Sequence, residues 1–239
     1  MDKRAYIRDE FSKIQIELSE KQAEQFEQYY EMLIAKNEVM NLTAITKFEE
    51  VVQKHFIDSV MIKEVRELGD NEKWIDVGTG AGFPGIPLKI VYPQLQVTLL
   101  DSLNKRVKFL QEVVDALGLE QVEALHGRAE EYAKKAEYRE QYDCCVSRAV
   151  ANLASLSEYC LPFVKVGGAF VPYKSGKIQE EIEAAGKAVE ILGGWIGQRK
   201  EFMLPGSDMY RCLLYIEKVK ATAKKYPRKA GMPTKEPLH

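Results

Sequence analysis

No apolar run in this sequence approaches the ~20 residues that a bilayer-spanning helix needs, which excludes that route into a membrane. The first residues, Met-Asp-Lys-Arg-Ala-Tyr, lack the apolar stretch of a secretion signal, so a cytoplasmic protein is expected. Histidine is scarce, with three in 239 residues. The four cysteines, Cys144, Cys145, Cys160 and Cys212, show no Cys-x-x-Cys spacing and no nearby histidine pairing. Zinc sites are built on such spacings, so no metal is expected. Cys144, Cys145 and Cys212 fall in apolar strand-like runs and read as small core residues. No internal repeat is visible.

What is present is enough apolar content, 46%, for one good core with an appendage. Residues 1–70 read as a helical extension. Ser19 and Gln22 form a capping-box pattern, followed by an apolar face of Ala23, Phe26, Tyr30, Leu33 and Ile34. Thr46 and Glu49 repeat the pattern before Val51, Val52, Phe56 and Val60, with Asn41-Leu42-Thr43 as the connection. His55 and Asp58-Ser59 lie beside that second face and read first as structural. Residues 71–218 then alternate strands (73–77, 97–101, 122–126, 142–146, 168–173) with helices (85–91, 103–117, 129–137, 151–161, 178–192), the signature of a parallel sheet. A run near 195–202 and another over 212–216, separated by Pro205-Gly206-Ser207-Asp208, predict a terminal hairpin.

The most informative stretch is Trp74-Ile75-Asp76-Val77 running into a loop with Gly78, Gly80, Gly82 and Gly85, and then into an apolar helix. Glycines allow positive φ and close ligand approach, and a helix N-terminus offers free N–H groups. Such a loop at the carboxyl end of a first strand is a nucleotide-type ligand site. Phe83 stands where a dinucleotide fingerprint needs its third glycine, and no Gly-Lys-Ser/Thr follows, so dinucleotide and P-loop readings fail. Asp76 suits a cationic amino acid group better than a pyrophosphate. The pattern Asp-x-Gly-x-Gly-x-Gly resembles motif I of the class I S-adenosylmethionine (SAM) methyltransferases. Asp101, ending the second strand, can accept hydrogen bonds from both ribose hydroxyls. The resemblance implies a Rossmann-like α/β fold, a seven-stranded sheet whose last strand is antiparallel.

At the other strand ends, Phe83 faces either the ligand or the helix base. Gly127-Arg128-Ala129-Glu130 offers a backbone N–H and a carboxylate to an adenine edge, or Glu130 is simply a first-turn acid. Ser147-Arg148-Ala149 stands where amine-methylating enzymes carry Asn/Asp-Pro-Pro-Tyr/Phe. A cysteine nucleophile for pyrimidine C5 is not expected either, since Cys144 and Cys145 lie inside the strand. Arg148 has donors and no acceptor, and suits a purine O6 and N7 edge, a phosphate, or a surface ion pair. Lys174, after the fifth strand, can face the same cleft.

From Lys218 onward the chain carries +6, against −8 for residues 1–217. Pro227, Pro233 and Pro237 argue for an extended tail, 219–239, either solubilising or suited to a phosphate backbone through Lys224, Lys225, Arg228 and Lys229. Asn41-Leu42-Thr43-Ala44, His55-Phe56-Ile57-Asp58-Ser59, Gly82-Phe83-Pro84-Gly85-Ile86-Pro87-Leu88, Gly127-Arg128-Ala129-Glu130, Ser147-Arg148-Ala149 and Tyr226-Pro227-Arg228-Lys229-Ala230-Gly231 together resemble the bacterial 16S rRNA guanine-N7 methyltransferase family, glucose-inhibited division protein B. The resemblance implies SAM as donor, a guanine of 16S rRNA in the small ribosomal subunit as acceptor, and Gly78, Phe83, Ala129, Glu130 and Arg148 at the donor. This competes with the base-facing reading of Arg148. A monomer is expected. A SAM enzyme with another RNA or small-molecule acceptor, and a SAM-binding RNA module without catalysis, are the competing classes.

Overall fold

The capping signal at Ser19 marks the start of the longest helix. In the computed structural model, which describes residues 2–148, 151–176 and 178–239, α1 (Lys3–Lys13) leads into α2 (Glu20–Met40). The Ser19 side chain accepts from the Gln22 N–H while the Gln22 side chain accepts from the Ser19 N–H, satisfying two donors that a helix start leaves orphaned. The second capping pattern does not form. α3 (Phe48–Val51) begins after Lys47 with no side-chain cap, which places Glu49 and Glu50 in its first turn, where the helix dipole favours them. The helix continues through a π-helical segment, Val52–Ile57, into α4 (Asp58–Val60). Within it the Asp58 N–H reaches back five residues to the Gln53 carbonyl. Such wide turns recur at functional sites.

The alternating pattern then becomes β1 (Lys73–Val77), α5 (Gly85–Val91), β2 (Gln96–Asp101), α6 (Asn104–Ala116), β3 (Val122–His126), α7 (Ala129–Tyr132), β4 (Tyr142–Ser147), α8 (Leu153–Cys160), β5 (Val164–Lys174), α9 (Gln179–Ile191), β6 (Gly194–Met203), β7 (Tyr210–Lys218) and α10 (Met232–Lys235). The seven strands are ordered β3-β2-β1-β4-β5-β7-β6. β7 is antiparallel to both β5 and β6, as the expected hairpin requires. Two elements differ from the sequence reading. α7 ends at Tyr132, because the chain turns back and packs Tyr138 edge-on against Tyr132 with ring centroids 5.0 Å apart. β5 starts at Val164, four residues early, since the strand passes through Gly167 and Gly168 by way of a register shift against β4.

The central parallel strands are buried on both faces, as parallel strands under helices are, while the outer strands β3 and β6 are half-buried or exposed along most of their length. On one face Trp74 and Val97 join Phe11, Phe26, Tyr29 and Phe56 in a single cluster, so the N-terminal helices share their core with the sheet. Phe26 bridges Phe11 and Phe56 at 4.9 Å to each. On the other face Phe163, Phe170 and Ile75 pack with α8 and α9. The tail is not an extended arm. Arg139 donates to the carbonyls of Thr222 and Tyr226, and the chain folds back over α8 to end in α10. No helix among the described residues is long and apolar enough to cross a membrane.

Candidate active site

The site is built at the carboxyl ends of the parallel strands, where sheets of this kind leave a crevice. The glycine loop after β1 takes positive φ at Gly78, Gly80 and Gly82. At Gly82 a Cβ would fall 2.5 Å from Ile86 and 2.7 Å from the Tyr29 hydroxyl, so only glycine lets the loop lie under α2. At Gly85 a Cβ would collide with Leu99 and come within 3.0 Å of Asp76. The Tyr29 hydroxyl pins the loop by donating to the Ala81 carbonyl at 2.6 Å.

Asp76 is fully buried beneath this loop. Its Oδ2 accepts from the Thr79 hydroxyl at 2.7 Å and the Gly85 N–H at 2.8 Å, while Oδ1 has no partner among the described residues. Burial pushes its carboxyl up to about 7, against the pull of those two donors. Asp101, nearly as buried, accepts from the Gly80 N–H at 2.9 Å and the Leu103 N–H at 2.8 Å, tying the loop to the end of β2.

Two cavities open here. The first, about 330 Å³, is lined by Gly78, Leu100, Ser102, Ala129, Glu130 and Tyr159 among others. Gly78, Ala129 and Glu130 thus come together as the sequence reading expected. Glu130 is buried and accepts from the Gly231 N–H at 3.0 Å, so it is both a first-turn acid and a cavity wall. Asp76, Gly80, Gly82, Phe83 and Asp101 do not line this cavity; they shape the loop behind it. Phe83 faces the N-terminal helices, stacked on His55 with ring centroids 4.6 Å apart and 5.3 Å from Tyr29.

The second cavity, about 520 Å³, is lined by Arg148, Asn152, Tyr173, Lys174, Met209 and Arg211 among others, and it shares Ala151 with the first. Arg148 belongs to this cavity and not to the first. Ala149, which follows it in the Ser147-Arg148-Ala149 motif, lies outside the described residues. Ser147 donates to the Val77 carbonyl, locking β4 to β1. Lys174 is buried and donates to the Ala151 carbonyl and to Glu181, both at 2.6 Å, so it braces the rim from inside.

Sequence reasoning named Asp58 but read it first as structural, and the structure makes it the carboxylate behind the arginines of this cavity. Asp58, 1% exposed, receives Arg148 Nη1 at 2.9 Å on one oxygen and Arg211 Nε at 2.7 Å on the other. Two guanidiniums can share so small a space because a single buried carboxylate neutralises them in part. Arg211 was not singled out, since a lone arginine in a terminal hairpin carries no local signal. The spacing of His55 and Asp58, one helical turn apart, was the available hint for Asp58. His55 completes the cluster, with Nε2 2.8 Å from Thr43 Oγ1 and Nδ1 3.3 Å from Arg148 Nη2. Burial, and then the neighbouring Arg148, push His55 down to about 3. Arg148 also lies over the Phe83 ring at 5.0 Å.

The remaining candidates resolve simply. Cys144 and Cys145 are fully buried inside β4, and burial pushes the Cys144 thiol up to about 12, which removes it as a nucleophile. In the tail, Arg228 is bidentate to the fully buried Glu158, at 2.7 and 3.0 Å, and Lys218 is fully buried against the Leu161 and Val164 carbonyls. Lys224, Lys225 and Lys229 are exposed.

The fold resembles solved methyltransferases. An Aquifex aeolicus SAM dependent methyltransferase matches with a TM-score of 0.53 at 20% identity, over 77% of this chain and 97% of that one. M. jannaschii TYW2, in complex with AdoMet, matches with a TM-score of 0.56 at 15% identity, over 74% and 80%. In sequence, the chain is 56% identical to the ribosomal RNA small subunit methyltransferase G of Lachnoclostridium phytofermentans over 223 residues, 93% of this chain and 92% of that protein. It is 50% identical to the same-named protein of Alkaliphilus metalliredigens over the full length of both. Residues 22–202 match the model of the GidB family, rRNA small subunit methyltransferase G, and with that match and these identities the chain belongs to this family.

Proposed function

We propose that the protein is a SAM-dependent methyltransferase acting on N7 of a guanine in 16S rRNA of the small ribosomal subunit, in the cytoplasm. The observation that carries this reading is the meeting of two cavities at Ala151, past the end of β4, one beside the glycine loop and one walled by arginines. The first has the size of a small-molecule pocket, roughly 300 Å³ or more. Its residues fit SAM: apolar Leu100, Leu156 and Tyr159 for a flat purine, the Glu130 carboxylate for an exocyclic amine, and Gly78 where a backbone must come close. SAM, when bound, supplies a sulfonium methyl group. Ser102, which follows Asp101, lines the cavity, and this supports the reading of Asp101 as the ribose acceptor.

The second cavity sets the guanidinium donors of Arg148 and Arg211 in a wall that also holds Asn152 and Glu181. Arg148 and Arg211 suit the O6 of a guanine, and a donor on O6 leaves the N7 lone pair open for attack. That lone pair carries no proton, so the residues need not remove one. Their work is to position the base and exclude water. His55 fits this chemistry, since burial keeps it neutral at physiological pH and so it adds no charge to the arginine cluster. A loop guanine can be unstacked and gripped in such a cavity.

The deciding experiment incubates the protein with methyl-labelled SAM and 16S rRNA or small subunits, then maps the label by nucleoside mass analysis. One 7-methylguanosine at a single site is expected; label on another atom, or none, overturns the assignment. The Asp101 role is checked separately. Asp101→Ala should weaken SAM binding in calorimetry with the fold intact, and an unchanged affinity counts against it.

A further inference from the structure

The C-terminal segment lies beyond the residues matched by the family model, yet it closes the first cavity. Gly231 and Thr234 are among that cavity's lining residues. Both are held by bonds to the opposite walls: the Gly231 N–H donates to Glu130 Oε1 at 3.0 Å, and Thr234 Oγ1 lies 2.7 Å from the Tyr159 hydroxyl. Pro233, between them, is buried and accepts from the Ser155 hydroxyl at 2.6 Å. Upstream, Arg228 locks the segment with its backbone N–H and its guanidinium on the fully buried Glu158. Arg139 fixes the turn before it through the Tyr226 carbonyl.

We propose that residues 226–235 are a donor-binding element: a strap, latched by Arg228 on Glu158, whose Gly231 and Thr234 form the outer wall of the adenosyl pocket. This rests on reading the first cavity as the donor site. The physical argument is direct. Without the strap, Glu130 and Tyr159 lose partners and the cavity opens to solvent on that side. A purine seated there would then give up apolar packing, and the carboxylate that faces it would be hydrated. The same bonds explain why a tail with five exposed lysines (Lys220, Lys224, Lys225, Lys229, Lys235) is folded down at all. An arm serving only phosphate contacts gains nothing from burying Arg228 against a carboxylate. It also gains nothing from laying an uncharged Gly-Met-Pro-Thr segment over a cavity.

The test measures binding of S-adenosylhomocysteine, the demethylated donor, by calorimetry to the full-length protein. Arg228→Ala combined with Glu158→Ala removes the latch without leaving a buried charge unpaired. Affinity should fall at least tenfold while circular dichroism stays native. Affinity within twofold of wild type, with the strap shown released by faster tryptic cleavage at Lys229, overturns the proposal. A second measurement needs no variant. In the unaltered protein, saturating S-adenosylhomocysteine should slow tryptic cleavage at Arg228 and Lys229 at least tenfold, and equal rates with and without it overturn the proposal too. If wild-type protein binds neither SAM nor S-adenosylhomocysteine, the donor reading of the cavity fails and the strap proposal falls with it.

Discussion

His55 and Asp76 make opposite and nearly equal demands on the pH dependence of stability. His55 titrates at about 3 in the fold against 6.5 unfolded, so between those values the unfolded chain binds the extra proton and acid destabilises the protein. Between pH 7 and 5 this amounts to a loss of about 2 kcal/mol, from 1.36 kcal/mol per pH unit. Asp76 titrates at about 7 in the fold against 3.8 unfolded, so the fold binds the extra proton and acid stabilises it. Over the same interval the gain is also about 2 kcal/mol. In the wild type the two cancel. His55→Gln should unmask the Asp76 contribution: relative to wild type, its stability should rise by about 2 kcal/mol on going from pH 7 to pH 5. Asp76→Asn should show the mirror image, a relative fall of similar size. Urea unfolding at both pH values, followed by circular dichroism, gives the differences directly. If His55→Gln tracks the wild type within 0.5 kcal/mol or so, His55 titrates like an unfolded histidine. The buried, arginine-flanked environment argued for it would then be wrong.

Three further outcomes are expected. Asp58→Asn weakens the carboxylate shared by Arg148 and Arg211; single-turnover methylation of rRNA should drop at least tenfold and stability by up to about 3 kcal/mol, with S-adenosylhomocysteine affinity within twofold, and an unchanged rate would remove Asp58 as a positioning residue. Replacing Lys224, Lys225 and Lys229 by alanine should lower the salt slope of RNA binding by about 0.7–0.9 for each phosphate that these lysines neutralise, without affecting the donor, whereas an unchanged slope would make them solubilising only. The single-turnover rate at saturating substrates should be nearly flat between about pH 6 and 8.5, because N7 has no proton to lose, and a tenfold rise per pH unit on the acid limb would instead reveal a required base.

The alternation of apolar runs and glycine turns by itself determined the succession of strands and helices, because strand, loop and helix are local consequences of periodicity and backbone freedom. The seven-stranded sheet with its antiparallel last strand was carried by the family resemblance. The β1 bounds and the glycine loop were legible for that reason, as was the capping box at Ser19, where four residues specify the whole motif. The loop also pointed to its ligand class, because Asp-x-Gly-x-Gly-x-Gly resembles motif I of the SAM methyltransferases, while the dinucleotide and P-loop patterns fail. Partnership across long separations was not legible. Arg211 meets Asp58 from 153 residues away, and Arg228 meets Glu158 from 70. A charge reads from sequence as solvated until a buried opposite charge is placed against it, so the tail looked like an extended basic arm. Tertiary packing decided otherwise, because a carboxylate as buried as Glu158 is tolerable only when paired. The same packing decided which cavity Arg148 serves, by carrying α4 and β7 to the end of β4 and giving its guanidinium the Asp58 carboxylate.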